Sequence, residues 1–175
     1  MSEVLNNLKT RRSIRKYTDE PVTDEQISQI IEAGLYAASG MGRQSPIILA
    51  VTDRAVRDEL AEMNAAVMHR EGTDPFYGAP YVLVVLADKN VPTGIYDGSL
   101  ALGNMMLAAH ELGLGTCWIH RAKEVFNSKR GKEILKQAGV EGDYEGVGNL
   151  ILGHPDTSVQ PSAAPRKENR VFYIK

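Results

Sequence analysis

Gly113-Leu114-Gly115-Thr116-Cys117-Trp118 sets two glycines between an apolar helical stretch and a short apolar run. A dinucleotide-binding fingerprint has a third glycine, and its glycines follow a strand and open a helix. Here the third glycine is absent and the order is reversed, because Leu100 to Leu112 reads as a helix and Thr116 to Ile119 as a strand. The stretch therefore excludes a Rossmann fold. Gly113 reads as a helix stop and Cys117 as a core thiol in the strand that follows.

The helix before this stop is the most apolar of the chain. Leu100, Leu102, Met105, Met106, Leu107, Ala108 and Ala109 occupy nearly all of its sides, with Asp97 or Ser99 as the expected cap. Such a helix is wrapped by the rest of the fold or sealed by a second subunit. Further upstream, Tyr81 to Ala87 is an uninterrupted apolar run, which marks a strand buried on both faces. Ile47 to Thr52 reads as a second strand, and Asp53 caps a helix carrying Val56, Leu60, Met63 and Val67. Between them, His69 to Pro80 reads as a mobile loop. Thr23-Asp24-Glu25-Gln26 is a capping box ahead of the stripe Ile27, Ile30, Ile31 and Leu35, and Ser2 caps a first short helix with Leu5 and Leu8 on one face.

Downstream, Lys123 to Gln137 reads as one or two surface helices closed by Gly139, and Gly148 to Gly153 as a strand. Pro155, Pro161 and Pro165 exclude regular structure after His154, so residues 154–175 form an arm. It ends in the expected strand Arg170 to Ile174, which needs a sheet edge, one that a second chain could offer. The whole reads as a single α+β domain over residues 1–175, with a mixed central sheet and helices on both faces.

A length of 175 residues suits one domain with a real core. A net charge of −2 argues against nucleic acid as the main partner. No apolar run is long enough for a membrane span, and no signal peptide precedes the first helix. The one cysteine rules out an internal disulfide and fits a reducing cytoplasm. Neither a Walker loop nor a G-x-S-x-G elbow is present, and His69, His110, His120 and His154 do not sit at metal-ligand spacing. What remains is an anion grip. In Lys9-Thr10-Arg11-Arg12-Ser13-Ile14-Arg15-Lys16-Tyr17, five of nine residues are cationic, and guanidinium forks match phosphate oxygens two at a time. Arg166-Lys167 forms a second basic pair, and Ala37 to Gly42 is a run of small residues suited to close approach. That inventory suits a protein that holds a phosphorylated cofactor and lets the cofactor carry the chemistry.

Read together, these stretches resemble the nitroreductase family of FMN-dependent, homodimeric oxidoreductases. The resemblance rests on Arg11 to Tyr17 with Pro21-Val22, on Ala38 to Gln44, and on Tyr77 to Pro80. It continues through Asn104 to Ala109, Gly113 to Ile119, Gly153-His154-Pro155 and the closing Arg166-Lys167, all in the family's order. It implies a nitroreductase-like fold whose C-terminal strand is exchanged with the dimer partner. It also implies tightly bound FMN at the subunit interface, with NADH or NADPH as co-substrate and a nitroaromatic or quinone as acceptor, in ping-pong order. Arg11 and Ser13 would hold the phosphate with Arg166 and Lys167. Arg12 would lie along the ribityl chain and Arg15 at the pyrimidine end of the ring. Ser39, Gly40, Met41, Gly42 and Gln44 would cover the flavin from the partner subunit, and backbone N–H groups at Ile119, His120 and Arg121 would meet the ring edge. His120 could also contact the acceptor. The chain departs from the family pattern at Gly42, at Ser45-Pro46 and at His120-Arg121. Two other readings stay open: a non-catalytic flavin or nucleotide binder, and another flavin reaction, such as reductive dehalogenation or flavin fragmentation, on the same fold.

Overall fold

The computed structural model describes residues 2–159 and 161–175. Its helices are α1 (Glu3–Thr10), α2 (Asp24–Leu35), α3 (Arg54–Val67), α4 (Gly94–Glu111), α5 (Ala122–Asn127) and α6 (Lys129–Gln137). Its strands are β1 (Ile47–Val51), β2 (Tyr81–Asp88), β3 (Gly115–Ile119) and β4 (Tyr144–Gly153), in the sheet order β1-β2-β4-β3. Local chemistry sets the helix starts. Thr23 accepts from the Gln26 amide while the Gln26 side chain accepts from the Thr23 amide, which closes the capping box. Asp53 accepts from the Val56 amide at the start of α3.

β2 shows why the sheet is covered twice. Val82, Val84 and Leu86 point to one face, against Leu60 of α3, Phe126 of α5 and Ile134 of α6. Leu83, Val85 and Ala87 point to the other, against Ile27 and Ile30 of α2 and Leu102 and Met105 of α4. All these side chains are buried, so every residue along the strand contributes roughly 1.5–3 kcal/mol of side-chain burial where the side chain is large. Gly98 lets α4 come close to the sheet, since a Cβ there would meet Val147 at 2.8 Å.

Several expectations change. Each strand pair is antiparallel, so the sheet is not mixed; among the described residues the parallel pairing is an isolated bridge between Ser13 and Thr116. Burial on both faces suggested parallel strands, but helices cover both sides of this antiparallel sheet just as fully. α4 starts earlier than expected, so neither Asp97 nor Ser99 caps it. Thr93 holds the cap position, Asp97 lies buried in the first turn, and the Ser99 hydroxyl donates back to the Ile95 carbonyl. β4 begins at Tyr144, before the expected Gly148, because Gly146 and Gly148 make room for the Ala122 backbone and the Trp118 indole rather than breaking the strand.

The loop before β2 is packed and not merely a mobile connection. Phe76 and Ala79 are buried in it. The Arg57 guanidinium, with 3 % of its side chain exposed, donates to the Ala79 carbonyl and to Asp74. Within the single chain, Arg170 to Ile174 are exposed, Phe172 at 84 %, and pair with none of the chain's own strands among the described residues, so the strand expected there has no edge within this chain. No helix is long and apolar enough to cross a membrane among the described residues.

Candidate functional site

The basic segment leaves α1 and is fastened to the far edge of the sheet. Arg11 ends the helix with its amide on the Asn7 carbonyl. Ser13 bridges Thr116, and the Ile14 amide donates to the Thr116 carbonyl at 2.9 Å. The Tyr17 hydroxyl donates to the Ile14 carbonyl at 2.7 Å and closes a loop around Arg15. Burial, with a smaller push from Cys117, drives the Tyr17 phenol far above its ordinary value, so it stays protonated as that donor. The Thr18 amide donates to the His154 carbonyl, the Asp156 amide to the Lys16 carbonyl, and Lys16 pairs with Asp156 at 2.8 Å.

These bonds frame a cavity of about 370 Å³ lined by Thr10, Arg11, Arg12, His110, Thr116 and Asp156 among others. Arg11 lines this cavity, and Nη1 of its guanidinium is buried without a hydrogen-bond partner. A buried guanidinium nitrogen left unpaired costs free energy, which an anion reaching it would recover. Arg12 lines the same cavity, but its Nη1 donates to the Lys9 and Arg11 carbonyls at 2.7 Å each and so serves the open C-terminus of α1. His110 accepts from or donates to the Thr10 hydroxyl at 2.9 Å. Burial first, then the Arg11 and Arg12 cations, hold its imidazole below the usual histidine range.

The other expected residues fall into three places. Arg15 sits over the Tyr77 ring at 5.9 Å. Ser39, Gly40, Met41, Gly42 and Gln44 form a tight turn in which Met41, Gly42 and Gln44 all have positive φ. The Gly40 amide donates to Asp97 at 3.0 Å, and the Gln44 amide to the Ser39 hydroxyl at 3.0 Å. This turn lines separate cavities, of about 70 and 520 Å³, that share no residue with the Arg11 cavity. Met41 points into solvent. Ile119 is buried at the end of β3, the His120 side chain is exposed, and Arg121 adopts a left-handed conformation with φ 76°. Arg166 and Lys167 lie on the exposed arm, where Arg166 donates to the Ala164 carbonyl, and neither lines the Arg11 cavity within this chain.

Three residues at the site were not singled out from sequence. His110 was noted only for lacking a metal-ligand pattern. Asn64 and Asn149 both donate to the His120 carbonyl, at 2.9 and 3.4 Å. Each left a trace: Asn64 follows Leu60 and Ala61 on the buried side of α3, and Asn149 interrupts an apolar strand.

The nitroreductase family model matches residues 8–154. A Bacillus subtilis FMN reductase using NAD(P)H is 31 % identical, covering 95 % of this chain and 72 % of the relative. A Vibrio harveyi NADPH-flavin oxidoreductase is 30 % identical, covering 95 % of this chain and 70 % of the relative. The crystal structure of a Bacteroides fragilis nitroreductase with bound FMN superposes over 100 % of both chains with a TM-score of 0.92, at 26 % identity. With the fold and these matches in agreement, the chain belongs to the nitroreductase family.

Proposed function

We propose that this protein is an FMN-dependent oxidoreductase that takes hydride from NADH or NADPH and passes it to a small acceptor such as a nitroaromatic or a quinone. The observation that carries the reading is Arg11, which lines the cavity beside β3 and has a buried Nη1 without a partner. When bound, FMN supplies the hydride acceptance and donation that no side chain here offers. The residues do the rest. Arg11 would hold the phosphate, joined by Ser13, which does not line the Arg11 cavity in this chain, and by Arg166 and Lys167 brought in by the arm, and Arg12 would follow the ribityl chain. Arg15, steadied by Tyr77, would give a fixed positive charge at the pyrimidine end, where negative charge collects. The N–H groups of Ile119, His120 and Arg121 would meet the ring edge, and the exposed His120 imidazole would contact the acceptor. Donor and acceptor would use one face in turn, which predicts ping-pong kinetics.

The working unit in this reading is a homodimer. Leu5 and Leu8 on α1, Ile95, Tyr96 and Leu100 on α4, and Val171 to Ile174 on the arm are large apolar side chains left exposed, as an uncovered interface would leave them. The partner would cover it, offering its Ser39–Gln44 turn to the flavin and a sheet edge to the arm. The single, buried Cys117 suits a reducing cytoplasm.

The test is anaerobic mixing of the purified protein with NADH or NADPH, followed by an acceptor. Loss of the flavin's visible absorbance and its return on adding acceptor support the reading. Bound FMN that neither donor bleaches would overturn the NAD(P)H oxidoreductase reading.

A further inference from the structure

Two buried amides converge on one carbonyl at the end of β3. Asn64 reaches the His120 carbonyl from α3 at 2.9 Å. Asn149 reaches it from β4 at 3.4 Å and also reaches the Ile119 carbonyl at 3.4 Å. Both asparagines are buried, and Oδ1 of each has no hydrogen-bond partner. An apolar residue at either place would avoid that cost. The polarity of both side chains thus meets at the His120 carbonyl, with Asn149 also holding the carbonyl before it.

That point precedes a strained residue. Arg121 has φ 76° and ψ 11°, a left-handed conformation unfavourable for a side chain with a Cβ, and it opens α5 without a side-chain cap. The peptide joining His120 to Arg121 is trans. In a trans peptide the C=O and N–H point in opposite directions. With the His120 carbonyl drawn toward the two amides, the Arg121 N–H points away from them.

We infer that Asn64 and Asn149 are positioning residues of the flavin site, clamping the His120 carbonyl so that the Arg121 N–H is held facing the edge of the bound ring. The inference rests on the FMN reading above. It assigns neither asparagine a contact with flavin or substrate; both act through the backbone, and the left-handed turn at Arg121 is the strain they hold in place.

The experiment uses Asn64→Leu and Asn149→Leu in the full-length holoprotein, with FMN content, the visible spectrum of bound flavin and the rate of flavin reduction by NAD(P)H read together. The variants keep FMN, because the phosphate grip is elsewhere, but the flavin bands shift and reduction slows about 10- to 100-fold. Adding Arg121→Gly, which takes the left-handed conformation without strain, recovers part of the rate. If the leucine variants do not fold, Asn64→Ser is read in the same way, since its hydroxyl is too short to reach the carbonyl. Variants that lose only thermal stability, with spectrum and reduction rate unchanged, overturn the inference and leave the FMN reading intact. A wild-type protein that binds no FMN overturns both.

Discussion

The Ile14 amide and the Thr116 carbonyl, 2.9 Å apart, join the basic segment to β3 and set the Arg11 cavity beside the strand. Gly115 makes the approach possible. A Cβ there would lie 2.9 Å from Ile14 Cβ and Cγ2, closer than packed carbons tolerate. Gly115→Ala therefore pushes the basic segment off the sheet at a cost of about 1–3 kcal/mol. FMN affinity measured by fluorescence quenching falls by about tenfold or more, although residue 115 does not line the cavity. Unchanged affinity would mean that the cavity does not depend on this junction.

Arg57 fixes the loop before β2 through the Ala79 carbonyl, Asp74 and the Phe76 ring. Asp74→Asn leaves the guanidinium with Asp58, the carbonyl and the ring, and Asp74 is itself partly solvated, so the global loss is modest, about 1 kcal/mol. Hydrogen exchange of residues 74–80 rises more than that of β2. Equal change throughout the chain would show that the loop is not a separately anchored unit.

Acid should weaken the fold through His110. Its imidazole is held below the ordinary value of 6.5, first by burial and then by Arg11 and Arg12, so the unfolded chain binds the proton more readily than the native one. The stabilisation is therefore complete above pH of about 6.5 and is lost as pH falls through the lower native value. His110→Gln keeps a hydrogen-bonding group near Thr10 and removes the titration. Denaturant melts of the variant should show a flatter pH profile below 6.5; a profile as steep as wild type would place the acid sensitivity elsewhere.

Removing residues 166–175 takes away Arg166, Lys167 and the exposed Val171 to Ile174 together. Sedimentation should show a weakened dimer, and the protein should come out depleted of FMN. A flavin-loaded dimer from that truncation would remove the arm from both roles.

Much of the fold was legible because its signals are local. The capping box at Thr23 and Gln26, the Asp53 cap and the double-sided apolar run of β2 need only neighbouring residues to be read. The reverse order of glycine, helix and strand around Gly113 was enough to discard a Rossmann fold. Strand direction was not legible, since burial on both faces looks the same in parallel and antiparallel sheets. The start of α4 was misplaced because Asp97 looks like a cap but is buried to receive the Gly40 amide from residues distant in sequence. At the site, Arg11 announced itself by its charge. Asn64 and Asn149 did not, because their importance lies in a shared carbonyl that only the folded chain brings between them.

The FMN reading is tested most directly by titrating FMN into deflavinated wild-type protein and its Arg11→Ala variant. Arg11 lines the cavity and has an unpartnered Nη1, and a charge-assisted bond to that guanidinium contributes about 1.5–3 kcal/mol. Wild type should bind FMN and prefer it strongly to riboflavin, and Arg11→Ala should weaken FMN binding roughly ten- to a hundred-fold while leaving riboflavin affinity nearly unchanged. Equal FMN affinity in the two proteins, or no preference of wild type for the phosphate, would contradict it.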